Sequence, residues 1–295
     1  MRIRDALPEI FKRPVPVVSE GTSILVAGTL LDTPRRDLLP IVRQSNKSLQ
    51  YLLDDRKYLK AFGGHAILSR LVETKPSNYH DFLFDRIETI AVKIRPIPAG
   101  EEITTLLSEF SKIKFGWSVI DDRGVYALAT LSDLIPLYAK GLMETNLRVK
   151  DVATKVFSLP GNTRLRDALS EMLRRYIRRV FISGTGNFVS DREILSFIFS
   201  PKTLALIRDS PKELLESRLE EIPSIQPVVI ESNTTLREAS ELFKPLSGAW
   251  CLAYKENVVT PWDLIMKPWK MGRLKINEAI EVDQPAKKIR RRPAE

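Results

Sequence analysis

The chain is poor in the residues that most often do covalent or metal chemistry, with one cysteine and two histidines among 295 residues. A single cysteine excludes a disulfide within the chain and fits a reducing cytoplasm. Cys251 sits in the apolar run Trp250-Cys251-Leu252-Ala253, where it reads as a small buried hydrophobe and not a nucleophile. His65 has no second histidine, cysteine or acid at ligand spacing, so no metal is expected. The sequence contains no G-x-S-x-G, H-E-x-x-H, paired C-x-x-C or P-loop pattern, which argues against the hydrolase, zincin, thiol-redox and P-loop classes. The acid pairs Asp54-Asp55, Glu101-Glu102 and Asp121-Asp122 fall in polar turns or helix starts, where solvation explains them better than acid–base work. A non-enzymatic protein is expected.

Long apolar runs are also missing. None approaches 18 residues, and Met1-Arg2-Ile3-Arg4-Asp5 has no apolar signal core, so the expectation is a cytoplasmic protein without a membrane partner. Neither helix-turn-helix nor zinc-finger spacing occurs, which argues against sequence-specific DNA. Gly184-Thr185-Gly186 begins a G-x-G pattern, but between two strands, so the dinucleotide fingerprint fails on context.

What is present is a repeat. Thr130-Leu131-Ser132-Asp133 recurs as Thr260-Pro261-Trp262-Asp263 and, with conservative changes, as Ser190-Asp191-Arg192-Glu193. Each follows one apolar run and precedes another, the pattern of a strand, a hydroxyl N-cap and an acid at the third helical position. Upstream of each lies an earlier helix start, at Ile103, Leu165 and Leu236, and a hairpin lies between the two helices, as at Asp121-Asp122-Arg123-Gly124. Hydrophobic content of 43% and charged content of 28% suit a globular chain with ample core. The length suits two ordinary domains.

This order of elements, closed by Thr/Ser-x-x-Asp, resembles the CBS domain, a β-α-β-β-α module. The resemblance implies an α/β (α+β) fold of four CBS repeats pairing into two Bateman modules, with a basic C-terminal tail. The divisions it suggests are 1–72 for the first repeat, with an insertion at 43–60 and Ile67 and Arg70 in place of Thr and Asp. A second repeat follows at 73–146, a third at 147–200, a helical connector at 201–218, a fourth repeat at 219–275 and the tail at 276–295. An alternation of shared features (Arg2-Ile3-Arg4-Asp5 with Arg148-Val149-Lys150-Asp151; Gly116-Trp117 with Gly248-Ala249-Trp250) suggests pairing of one with two and three with four.

The chain carries a net charge of +9, and it is localised. Residues 147–200 hold ten Lys or Arg against five Asp or Glu, and 286–295 hold five against one, so these two stretches carry all of it. Helical spacing through the first helix of the third repeat would put Arg174, Arg175 and Arg178 on one side, with Arg179 adjoining. Lys287, Lys288, Arg290, Arg291 and Arg292 form a tail that cannot build a core.

Two functions suit these features. A four-CBS chain with a basic tail resembles the archaeal ribosome-dormancy factors built from tandem CBS domains. That implies a factor whose arginines and tail hold ribosomal RNA and ribosomal subunits and inhibit translation, with salt-dependent affinity. The alternative is a cytoplasmic sensor of AMP, ADP or ATP that acts on a protein partner. In it, Thr130, Ser190 and Thr260 would hold phosphate and Asp133, Glu193 and Asp263 the ribose, although the same residues would equally cap their helices. Ala127, Asn187 and Asn257 stand where nucleotide-binding members carry glycine, and Pro261 removes one N–H from its helix start. No cofactor is required by either reading.

Overall fold

The computed structural model describes residues 1–32, 38–43, 48–63, 83–113, 116–209, 211–243 and 251–278. A helix α1 (Ile3–Ala6) and a 3-10 turn over Pro8–Lys12 lead in. Helical spacing predicts one helix from Arg2 to Phe11; Pro8 divides it, since proline has no N–H to continue the ladder.

One unit then recurs four times: opening strand, crossover helix, antiparallel hairpin, closing helix. The first comprises β1 (Val18–Ser19), α2 (Ile24–Leu31), β2 (Leu38–Val42), β3 (Leu49–Asp54) and α3 (Asp55–Gly63). After β4 (Val92–Lys93) come β5 (Ile97–Pro98), α4 (Ile103–Ile113), β6 (Trp117–Asp122), β7 (Val125–Thr130) and a closing helix in two pieces, α5 (Leu131–Leu134) and α6 (Pro136–Ala139). Then β8 (Met143–Glu144), α7 (Val149–Val152) and β9 (Thr154–Lys155) precede the third unit. It holds β10 (Ser158–Leu159), α8 (Leu165–Arg175), β11 (Arg179–Ile182), β12 (Phe188–Ser190) and α9 (Asp191–Ile198). Two helices, α10 (Pro201–Asp209) and α11 (Pro211–Glu216), occupy the connector. The fourth unit is β13 (Val228–Val229), α12 (Leu236–Leu242), β14 (Leu252–Tyr254), β15 (Asn257–Val259) and α13 (Pro261–Lys270), followed by β16 (Lys275–Ile276).

In every unit the opening strand runs parallel to the first hairpin strand, as Val18 with Ile41, Ile97 with Ile120, Ser158 with Phe181 and Val228 with Leu252. The β6–β7 hairpin turns on Arg123 and Gly124, both left-handed at φ 55° and 89°, which matches the twist of the flanking strands. Crossover helix α8 buries Leu165, Ala168, Leu169 and Met172, the one-sided spacing of an amphipathic helix.

The first repeat corrects the sequence reading. Residues 43–60 are not an insertion, because they contain the hairpin strand Leu49–Asp54 and most of the closing helix Asp55–Gly63. The residues matching Thr130 and Asp133 are therefore Asp54 and Lys57. Ile67 and Arg70 lie outside the described residues. An aspartate replaces the hydroxyl as cap, accepting from the Lys57 N–H through Oδ1 at 2.5 Å, so a search for Thr or Ser passes over it. Three smaller corrections follow. The sequence of the second repeat predicts a long closing helix through Tyr138 and Leu142, and Pro136 splits it. Helix α8 stops at Arg175 because Tyr176 is left-handed, at φ 57°, so Arg178 and Arg179 are not on it and the expected one-sided arginine row is broken. Finally, Ile276 is not tail: it pairs with Met143, and Asn277 donates to Leu142 O.

The segment preceding each unit packs on the other unit of its pair. Ile3 and Val149 donate to Glu101 O and Thr234 O, in repeats two and four, and Ile87 and Leu219 donate to Thr22 O and Thr163 O, in repeats one and three. Single bridges join the same places: Arg2 with Glu102, Arg86 with Ser23, Arg148 with Thr235 and Arg218 with Arg164. Repeats one and two exchange lead segments, as do three and four. The sheets of each pair also meet, burying Leu38 and Leu52 with Trp117 and Val119, and Phe181 and Phe188 with Cys251. Two larger cores cross between the pairs: one joins repeats one and three, the other repeats two and four. Tyr138 spans the latter, its hydroxyl donating to Leu264 O at 2.7 Å.

Candidate functional site

The hydroxyl–acid positions all open helices. Asp133 Oδ2 accepts from the Thr130 N–H at 2.8 Å and the Thr130 hydroxyl at 2.9 Å. Asp263 Oδ2 accepts from Thr260 N–H and hydroxyl at 2.8 and 2.7 Å. Glu193 Oε2 accepts from the Ser190 N–H at 2.9 Å and from the Ser190 hydroxyl. These are capping boxes, and each satisfies orphan groups of the helix start.

The second carboxylate oxygen separates the sites. Asp263 is buried, and its Oδ1 takes Thr154 Oγ1 at 2.8 Å and Lys267 Nζ at 2.9 Å. That carboxylate is saturated, with no lone pair facing solvent for a sugar hydroxyl. Asp133 Oδ1 takes Arg13 at 2.7 Å. Lys267 is legible in the sequence as an i+4 partner. Arg13 and Thr154 are not, because only the exchange of lead segments brings them there.

The first hairpin-strand residue faces the cap across each hairpin. Its occupants differ: Leu38 opposite Asp54, Trp117 opposite Thr130, Arg179 opposite Ser190. In the fourth repeat, Cys251 precedes the Leu252–Val259 pair and is buried; burial pushes its thiol up to about 11, so it stays protonated. Trp117 donates its indole N–H to Asp54 Oδ2 at 2.8 Å. Arg179 is the cation of this set, and its Nε is shut off from solvent with no hydrogen-bond partner among the described residues. Burial lowers its proton affinity, Arg178 acts in the same direction, and Asp191 and Glu193 oppose them. A buried N–H donor left without a partner is costly. Nearby, Asp191 is buried and accepts from Arg178 Nε at 2.8 Å. Burial raises the Asp191 pKa, against the pull of Arg178 and Arg56. Arg56, Arg178 and Arg179 thus gather about Asp191 and Glu193.

The other arginines are engaged. Arg174 NH2 and Arg175 Nε both reach Glu171 Oε2, at 2.6 and 2.8 Å, and these bonds hold the Glu171 carboxyl down at about 2. Arg175 also lies over the Phe157 ring at 4.1 Å. Lys287, Lys288, Arg290, Arg291 and Arg292 lie outside the described residues, as do His65 and His80. Trp269 packs against the core of repeats two and four. Among the described residues no group of three or more His, Cys, Asp or Glu could hold a metal, and no helix is long and apolar enough to cross a membrane.

No family model and no curated protein matches the chain. Among solved structures it is similar to a Methanocaldococcus jannaschii protein described as a proposed archaeal homologue of γ-AMPK, with TM-score 0.78 and 18% identity over 91% of this chain and 100% of that one. A CBS domain protein from Pyrobaculum aerophilum, complexed with AMP, aligns over 45% of this chain and 90% of its own, with 16% identity and TM-score 0.35. Four units of one topology, paired through their sheets, give this chain the tandem CBS fold.

Proposed function

We propose that this is a non-enzymatic regulatory protein that takes an adenine nucleotide in its second module, with the phosphate on Arg179 beside Ser190. The observation that carries the reading is the buried Arg179 Nε, without a partner among the described residues, facing the cap of an eight-residue helix. An oxyanion there would accept the Arg179 Nε–H in a charge-assisted hydrogen bond. Adenine is suggested by the CBS resemblance alone. Calorimetry with AMP, ADP, ATP and inorganic phosphate tests it. Binding of at least one nucleotide is expected, weakened tenfold or more by Arg179→Met and unchanged by Asp263→Ala, whose carboxylate is already saturated. Phosphate binding alone, or no heat from any nucleotide, would refute the nucleotide reading.

Ribosomal RNA is a second reading, favoured by one surface: Tyr176 is 69% exposed beside exposed Arg174 and Arg175, a combination that can stack bases and meet phosphates. Co-sedimentation with ribosomal subunits across a salt series, with and without residues 287–295, tests it. Salt-sensitive binding that weakens on truncation is the expected result, and a protein that stays at the top of the gradient at low salt ends that reading.

A further inference from the structure

Arg56 opens the closing helix of the first repeat, yet three carbonyls that it bonds lie in the third. It is buried, and its NH1 donates to Ile177 O at 3.2 Å while NH2 donates to Met172 O and Leu173 O, each at 3.4 Å. Those carbonyls belong to the end of α8 and the turn that delivers Arg178 and Arg179. The turn is a strained one. Tyr176 N–H returns to Leu173 O and Ile177 N–H to Met172 O, the paired bonds of a helix stop whose left-handed position ordinarily takes glycine. Here a tyrosine occupies it, at φ 57°, with the Arg56 guanidinium 5.4 Å above its ring. A bulky left-handed residue persists only where surrounding contacts over-determine it.

The other side of Arg56 leads to the second repeat. Asp54, two residues earlier, caps this helix through Oδ1 and receives the Trp117 indole N–H on Oδ2. Trp117 in turn is the strand partner of Thr130. Hydrogen bonds on either side of the start of α3, joined by the backbone from Asp54 to Arg56, therefore link the hairpin of repeat two to the segment of repeat three that carries Arg179.

We infer that Arg56 is a positioning residue supplied by the first module to the anion site of the second, and that the Trp117–Asp54 bond sets its placement. The functional consequence rests on the nucleotide reading above; the mechanical link does not. If the inference holds, the modules communicate through one helix start, and the geometry of Arg179 responds to the hairpin of repeat two.

Hydrogen exchange on the full chain tests the link without ligand. Arg56→Met should speed exchange in 173–179 at least tenfold, as should Arg56→Lys to a lesser degree, since an ammonium cannot serve three carbonyls as a planar fork can. Trp117→Phe, which keeps the ring and removes the donor, should speed the same segment severalfold in the wild-type background and add nothing in the Arg56→Met background. Effects that add independently, or no effect of Trp117→Phe on 173–179, would overturn the inference. AMP calorimetry separates the two ideas. An affinity loss of about tenfold in Arg56→Met, with 173–179 loosened, supports both. No nucleotide binding to wild type with the exchange cycle still coupled removes the nucleotide reading and leaves the link. Unchanged affinity in Arg56→Met with exchange unaltered removes the link and leaves the reading.

Discussion

Glu171 shows how a single acid changes the meaning of a basic cluster. Counted along the sequence, Arg174 and Arg175 are surplus charge; in space they share one carboxylate. The folded pKa of Glu171 is held near 2 by these two bonds, below the ordinary glutamate range. For an acid with a depressed folded pKa, the favourable contribution is present above its unfolded pKa and is lost as pH falls through the folded one. A carboxyl-detected NMR titration should place the Glu171 midpoint near 2, and in the Arg174→Ala/Arg175→Ala double variant it should return toward the ordinary range. A wild-type midpoint already in that range would mean the arginines are available to another anion. The pair at i+3 and i+4 was open to reading from the sequence, and weighing it would have reduced the apparent basic surface. The unpartnered Arg179 Nε, among the described residues, was not open to reading, because it depends on how segments distant in the chain pack together.

At the level of elements, hydroxyl-capped helix starts were fully legible: the helices open at Leu131, Asp191 and Pro261, next to Thr130, Ser190 and Thr260. The signal is local, since a cap and its third-position acid are neighbours in the chain. The first repeat escaped because Asp54 does the capping and Lys57 stands where the acid is expected. The lead segments also escaped, although Arg2-Ile3, Arg86-Ile87, Arg148-Val149 and Arg218-Leu219 share an Arg–aliphatic start; their packing across the pair is non-local. That packing gives a prediction. Ile3 is fully buried among residues of repeat two, so Ile3→Ala should cost about 2–5 kcal/mol, as large-to-small core changes do. The accompanying rise in hydrogen exchange should fall first on α4, at Ile103 to Phe110, and not on α2 of its own repeat. Loosening confined to α2 would contradict the exchange of lead segments.

For the whole molecule, the pairing of one with two and three with four follows from exchanged segments and facing sheets. The crossed cores, one with three and two with four, were beyond the sequence because an amphipathic face shows in the spacing while the face it meets does not. This double pairing puts Arg56 of the first module against the arginine segment of the second, and it makes the Arg179 site a property of the assembled chain. The most direct measurement is a crystal structure of the full chain grown with AMP. The account predicts a phosphate within hydrogen-bond reach of the Arg179 guanidinium, beside Ser190, with Asp263 still bound to Lys267 and Thr154. A nucleotide seated instead at Thr260–Asp263, with Arg179 bonded only to protein carbonyls, would contradict it.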